Sequence, residues 1–488
     1  MRLAIVLHLV GVLTRLFGAM LLAPLVVAAL YREWHDVAGF ALAAAVTVTA
    51  GHAMRHLGGG RAEELVERLR RAEGLTVVSA TWLLVAQFAA IPYMWAGLSP
   101  VDALFESMSG LTTTGATIVR DFGGLGRGVF FWRALTQWLG GMGIIALFVA
   151  ILPRLAIGGR ELFFAEATGP TGEKLTPKLR QTALALWKVY AALTGLEVVA
   201  LTAAGLSVYD AVCHSFTTLA AGGFSPHPLS LSGYTPLAQW IVLVFMFLAG
   251  ANFALQYRAA RGHGRAVLVD EELRAYVTVV LLSTVALSWL LWWTVPTAEE
   301  AVRHASFQTV SVLTTTGFAS QDFQLWGDRA KVILLLLMFI GGSAGSAAGG
   351  PKVVRHVLLA RYTLRELTRT LHPRALLPVK LGGRVVPHEI LRNVVVFMLF
   401  YMLTFAVGMA VVAAFGADLL TAITGSIACL GNIGPGFNAV GPMAHYGDLH
   451  PVSKIVLTLL MWIGRLEVLP VLVLFRLELW REARWSIE

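Results

Sequence analysis

Four short strips of threonine, glycine and other small residues are where this sequence could do chemistry. They are LTTTGAT from Leu111, LAAGGFS from Leu219, LTTTGFA from Leu313 and LGNIGPG from Leu430. Each carries a glycine four positions after its leucine, at Gly115, Gly223, Gly317 and Gly434, and successive glycines lie about 100 residues apart. What such strips offer is oxygen. Small side chains leave main-chain carbonyls uncovered, glycine supplies permissive backbone angles, and threonine adds hydroxyls. Four strips around a pseudo-fourfold axis can replace the hydration shell of a monovalent cation. A half-helix leading into each strip would aim its negative C-terminal end at the same place.

The elements that must position the strips repeat with them. Upstream, the lines read ALFESMSGLTTTGAT from Ala103, AVCHSFTTLAAGGFS from Ala211, ASFQTVSVLTTTGFA from Ala305 and TAITGSIACLGNIGPG from Thr421; the first two align over fifteen residues without a gap. Each segment is too short to cross a bilayer and sits between two apolar runs. Irregular backbone at that depth is tolerated only where protein or a water-filled cavity covers it. One TTTG would read as a turn or a small-residue helix contact. Four in register read as one repeated unit: helix, short semi-apolar segment with its strip, helix.

Composition sets the solvent. The 488 residues are 57% hydrophobic and 14% charged, far below the quarter charged of a soluble domain. Apolar runs of about 20 residues, the length that spans a bilayer core, include Ala4–Leu30, Val277–Val295 and Val394–Phe415. Hydropathy predicts ten spans in all. The net charge of +9 points to basic internal loops rather than to nucleic acid. One set of connections is basic: Arg55, Arg61, Arg68, Arg70 and Arg71; Arg154, Arg160, Lys174, Lys178 and Arg180; Arg258, Arg261, Arg265 and Arg274; Lys352 through Arg384; and Arg476, Arg481 and Arg484. The positive-inside rule places these and both termini in the cytoplasm. Arg15 splits what would otherwise pass for a signal-peptide core, so the N-terminus is expected to form an uncleaved helical hairpin. Cys213 and Cys429 lie in apolar segments and read as packing residues.

Two features of the inner helices stand apart. The run GGSAGSAAGGPK from Gly341 to Lys352 cannot hold a regular helix, since each glycine costs about 1 kcal/mol against alanine and Pro351 removes a donor. It lacks the G-K-[ST] ending of a phosphate loop. Close helix packing is its plain reading. Aligning MFLAGAN, MFIGGSAG and MWIGRLEV sets Arg465 opposite Gly250 and Gly342, and by the same register opposite Gly141. An arginine within a spanning helix costs at least about 2.5–3.5 kcal/mol unless it faces a cavity or a partner. It is either a positive barrier facing a conduit or one half of an ion pair, with Glu197 a better partner than Glu467. Asp102 and Asp210 read as helix caps, and His214 and His304 as polar packing. His388-Glu389 is not followed by the second histidine of a zinc-protease motif, and no nucleophile elbow or metal cluster occurs, so an enzyme is not expected.

With these residues in view the chain resembles the Trk/Ktr/HKT superfamily of potassium transporters, and specifically its TrkH-type branch, over nearly its whole length. LTTTGAT, LTTTGFA and GNIGPG at these spacings carry the likeness, and the N-terminal hairpin up to about Arg71 favours that branch. The resemblance implies an all-α integral membrane protein of four pseudo-symmetric helix–pore-loop–helix units around one pore. The expected divisions are a hairpin at 1–71 and pore units at 72–160, 161–265, 266–380 and 381–488. It implies a selectivity filter in which potassium, the substrate, contacts Thr113, Thr114 and Gly115; Ala221, Gly222 and Gly223; Thr315, Thr316 and Gly317; and Asn432, Ile433 and Gly434. It also makes the run containing Gly341, Gly342, Gly345, Gly349 and Gly350 a gating loop beneath the filter, with Arg465 below it. In plant relatives a serine in place of the first filter glycine goes with sodium preference, so Gly115 favours potassium. The remaining expectations are a homodimer in the bacterial inner membrane, a cytoplasmic nucleotide-binding regulatory subunit of the TrkA type, contact with membrane lipid and no organic cofactor. Two rivals stand beside this. A sodium- or proton-coupled symporter would usually show an inverted twofold repeat, and a membrane-embedded enzyme would need acids or histidines clustered at one boundary.

Overall fold

The computed structural model describes residues 2–59, 71–150 and 176–468, together with 471 and 474. Arg61, Arg68, Arg70, Arg154, Arg160, Lys174, Arg476, Arg481 and Arg484, and the unit boundary at 160/161, lie outside the described residues. Apart from loops and one hairpin of two-residue strands (β1, Lys380–Leu381; β2, Arg384–Val385), the described chain is helical.

Helices α1 (Leu3–Met20) and α2 (Leu22–Leu30) run up to a turn, and α3 (Trp34–Leu57) returns beside them. Glycine makes the crossing close. A Cβ on Gly11 would stand 2.7 Å from the Gly51 carbonyl oxygen, and one on Gly51 would stand 2.8 Å from that of Gly11, the small-residue approach typical of helices in lipid. Between α2 and α3, the Glu33 carboxylate accepts the amides of Arg127 (2.7 Å) and Gly128 (2.8 Å). It thereby satisfies orphan donors at the start of α7 (Arg127–Ala150) and binds the hairpin to the rest of the molecule.

One order of elements then recurs. It begins with α4 (Arg71–Ala89, extended by α5, Ile91–Trp95), α6 (Pro100–Leu111) and α7. Next come α8 (Thr176–Ala203), α9 (Val208–Leu219) and α10 (Pro236–Gly250), which turns through 104° into α11 (Phe253–Ala260). After the short α12 (Arg265–Val269) follow α13 (Glu271–Leu291), α14 (Ala298–Leu313) and α15 (Asp328–Met338), whose axis is broken over 339–352 before α16 (Val353–Leu371). The last three are α17 (His388–Ala414), α18 (Leu419–Leu430) and α19 (Pro451–Arg465).

Among the described residues, six helical stretches are long and apolar enough to cross a membrane, or seven if the bent pair α10–α11 counts as one span. Hydropathy alone predicts ten. The difference lies mostly in the helices that follow the strips. Helices α10 and α19 have 15 residues and α15 has 11, short of the roughly 20 a bilayer core requires. Asn252 ends α10 by capping the next helix, and Glu467 and Val468 leave α19 with φ of 61° and 50°. Leu281, Leu282, Val285 and Trp289 of α13 are exposed; a continuous apolar face of this kind belongs against lipid.

The four helices leading into the strips have 12, 12, 16 and 12 residues, about 18–24 Å at 1.5 Å per residue and too short for a core of about 30 Å. Their N-caps are Ser99, Ser207, Thr297 and Asp418. The cap assignment of Asp102 and Asp210 therefore needs correcting. Ser99 and Ser207 accept the amides of those residues at 3.2 and 3.1 Å, and their hydroxyls donate to the carboxylates at 2.9 and 2.7 Å, a variant of the reciprocal capping box.

Candidate ion pathway

Every short helix stops in the same way. Beyond α6, the Thr114 amide donates to the Ser109 carbonyl (2.8 Å) and the Thr113 amide to that of Gly110 (3.0 Å). Gly222 and Ala221 do the same after α9, Thr316 and Thr315 after α14, and Ile433 and Asn432 after α18. This is a Schellman stop, whose left-handed residue is ordinarily glycine. Here it is Thr113 (φ 52°), Ala221 (53°), Thr315 (58°) and Asn432 (56°). A left-handed residue with a side chain costs about 1–2 kcal/mol, and the same strain at four matching places marks a functional constraint.

Two residues on, Gly115, Gly223, Gly317 and Gly434 are left-handed again, with φ of 80°, 75°, 82° and 100°. These glycines form one cycle. A Cβ on Gly115 would collide with the carbonyl oxygen of Gly222, one on Gly223 with that of Thr316, and one on Gly317 with that of Ile433. One on Gly434 would stand 2.7 Å from that of Thr114. Each strip thus rests on the carbonyl of the next, and the fourth closes on the first. All four glycines also line one open cavity with Tyr446 and Arg133. The C-termini of the four short helices converge here, so their negative ends face a common centre.

The ring is tied from behind. Gln137 donates to the Gly222 carbonyl (2.7 Å) and accepts the Phe224 amide (3.1 Å). Asn432 Nδ2 donates to Thr114 Oγ1 and to the Met461 carbonyl, both at 3.0 Å, and the Tyr446 hydroxyl donates to the Gly434 carbonyl (2.7 Å). Glu106 and Arg133 form a buried pair at 2.8 Å. Sequence reasoning passed over Gln137, Glu106 and Arg133, although a polar side chain inside an apolar span was the signal for each. His214 and His304 reach Ser225 Oγ (3.1 Å) and Ser320 Oγ (2.9 Å), polar packing as expected. At the inner edge, Thr113 Oγ1 and Asn432 Oδ1 are buried and have no hydrogen-bond partner. Outside the ring, the Thr421 hydroxyl holds the Asp418 carboxyl below its ordinary range.

The glycine-rich run lies directly beneath. Gly341, Gly345 and Gly350 have φ of 84°, 70° and 71°, and Lys352 has 78°, so no helix can pass. Gly341 packs on Gly350, Gly342 on Ala348 and the Gly250 carbonyl, Gly345 on Asn252, and Gly349 on Asn432 and the Gly431 carbonyl. The Ser343 and Ala347 amides donate to the carbonyls of Gly250 (2.9 Å) and Ala249 (3.1 Å). Glu272 on α13 accepts the amides of Ala344 (2.7 Å) and Val354 (3.3 Å).

Arg465 is 2% exposed. It donates to the carbonyls of Ala347 (3.1 Å) and Gly140 (3.4 Å), bridging the broken segment to α7. Gly464 and Gly140 each press on the carbonyl of the leucine that opens a strip, Leu430 and Leu111, and Gly141 and Gly250 each face a tyrosine hydroxyl, Tyr190 and Tyr276. Arg465 therefore stands in α19 where Gly141 stands in α7 and Gly250 in α10. Neither suggested carboxylate pairs with it: Glu467 takes Arg355 at 2.6 Å, and both Glu197 oxygens are buried without a hydrogen-bond partner.

Long apolar helices closing round a carbonyl-bearing ring define a multi-pass membrane transport protein. The family model of TrkH, described as a cation transport protein, matches residues 43–487. The chain is 40% identical to the Trk system potassium uptake protein TrkH of Vibrio parahaemolyticus, covering 98% of this chain and 99% of that one. It is 38% identical to the protein of that name from Escherichia coli (97% and 99%) and 36% identical to that from Halomonas elongata (99% and 100%). The crystal structure of the potassium transporter TrkH from Vibrio parahaemolyticus superposes with a TM-score of 0.90 at 36% identity, covering 99% of this chain and 100% of that one. The chain belongs to the TrkH family of cation transport proteins.

Proposed function

We propose that this chain takes up potassium across the bacterial inner membrane, with the four strips as its selectivity filter and the segment containing Gly341–Gly350, together with Arg465, as its gate. The observation that carries the reading is the unbroken cycle in which each strip's glycine abuts the next strip's carbonyl. Carbonyls held in that way can stand in for the water around a dehydrated ion. The unpartnered oxygens of Thr113 and Asn432 favour it, as do the converging helix ends, and relatives along the whole chain are called potassium uptake proteins. Potassium is the substrate, and no organic cofactor enters the scheme. A broken helix bonded to the strips from below, with an arginine reaching across it, is placed to open or block the way.

The proposed organisation is a hairpin at 1–71 followed by four pseudo-symmetric pore units at 72–160, 161–265, 266–380 and 381–488. Both termini and the basic helix α16 face the cytoplasm, two copies of the chain associate, and a nucleotide-binding subunit of the TrkA type docks from inside. The words "Trk system" in the relatives' names support a further component. Purified protein in liposomes under an imposed voltage tests the central statement. Rubidium flux that follows voltage and ignores sodium and proton gradients is expected. Flux that requires either gradient would move the protein to the symporters, and no flux from folded protein would end the reading.

A further inference from the structure

The pair Glu106–Arg133 occurs in only one quarter of the ring. Counting back eight residues from Gly141, Gly250, Gly342 and Arg465 gives Arg133, Val242, Leu334 and Leu457, all of them buried. Counting back five from the leucine of each strip gives Glu106, His214, Gln308 and Gly425. Three quarters are thus built with an aliphatic side chain where the first carries a guanidinium. An ion pair taken out of water is often no more stabilising than apolar packing of similar volume. Packing by itself therefore gives no reason for this one.

Its connections give a reason. Arg133 Nε donates to Glu106 Oε1 (2.8 Å), one terminal nitrogen to the Ser225 carbonyl (3.1 Å) and the other to Thr117 Oγ1 (3.1 Å). Glu106 in turn accepts the Ile118 amide (2.9 Å) and the Thr117 hydroxyl (3.0 Å). The guanidinium carbon lies 4.1 Å over the Phe224 ring. Thr117 ends the first strip and Ile118 follows it; Phe224 and Ser225 end the second. The pair spans the gap between the two just outside the place where Gly115 meets the Gly222 carbonyl. Arg133 also lines the open cavity, so Glu106 balances a positive charge beside the cation route.

We propose that Glu106 and Arg133 are positioning residues that set the spacing of the first and second strips and thereby the discrimination of potassium from sodium. The inference rests on the filter reading above and deepens it. It has two separable consequences. Glu106→Gln alone leaves the guanidinium uncompensated, and cation flux falls. Glu106→Gln with Arg133→Leu gives the first quarter the chemistry of the third, Gln308 with Leu334. Flux then recovers, while the potassium-to-sodium permeability ratio drops by about five- to ten-fold, a value within the span of coupling found inside one hydrogen-bonded network. Arg133→Lys keeps the charge but loses the fork, and its ratio falls between the two.

The experiment is the bi-ionic permeability ratio and rubidium flux in proteoliposomes, for variants that keep the wild-type size-exclusion profile. A double variant or an Arg133→Lys protein that discriminates as wild type does overturns the proposal. Wild-type protein that itself fails to prefer potassium overturns the filter reading instead. If the double variant does not fold, Arg133→Lys decides alone.

Discussion

The amide of Gly349 donates to the hydroxyl of Thr315 across 2.6 Å, so the broken segment beneath the ring hangs from the third strip by a hydrogen bond between main chain and side chain. Neither atom is exposed to solvent: both residues are buried. Thr315→Val keeps the shape and removes the acceptor. A buried amide left without a partner costs about 1–3 kcal/mol, so the melting temperature in detergent should fall. With the segment less firmly held, rubidium flux should rise. Unchanged flux and melting temperature would show that the bond couples nothing.

Gly115→Ser places a side chain on a left-handed residue and against the Gly222 carbonyl. Strain of about 1–3 kcal/mol must be relieved by moving one carbonyl or the other. The potassium-to-sodium permeability ratio is expected to fall by about ten-fold for each 1.4 kcal/mol by which the two ions' fits converge. A folded variant with an intact ratio counts against the ring as the element that selects.

Arg465→Ala removes a cation that bridges Ala347 and Gly140. In a partly polar interior a unit charge acts on another at 4 Å with about 4 kcal/mol, so its loss should raise rubidium flux by about ten-fold or more. If folded protein conducts no better, or not at all, the arginine serves to hold α7 and the broken segment together.

Gln137→Leu strips the second strip of its lock, leaving the Gly222 carbonyl and the Phe224 amide unmatched. Two buried unsatisfied groups at about 1–3 kcal/mol each predict a clearly lower melting temperature together with weaker ion discrimination. Retention of both properties would mean that water replaces the amide without consequence.

The repeated strips were legible because backbone function needs small residues in fixed register, and that pattern survives in a linear string. Arg465 was legible because a charge in an apolar helix is conspicuous, and its register with Gly250 and Gly342 could be read from three short motifs and extended to Gly141. Its partners could not: a carbonyl at Ala347 looks like every other carbonyl in the sequence. The same holds for Glu272 beneath Ala344, and for Lys454 against Asp102 at 2.6 Å, which lie 352 positions apart in the chain. The break after α15 was legible in the glycine-rich run from Gly341, three of whose glycines take positive φ, whereas the end of α10 was not, because apolar residues continue to its last turn and Asn252 sets the stop. Ser99 and Ser207 were overlooked in favour of the acids that face them.

All four quarters of the ring belong to a single polypeptide. In an assembly of four identical chains any change behind the pore would appear four times over, and a charged pair would have to fit everywhere or nowhere. Here a codon reaches one quarter alone, so Glu106, His214, Gln308 and Gly425 can differ behind strips that remain nearly alike. Such a gene can alter the surroundings of its strips in small steps, one side at a time.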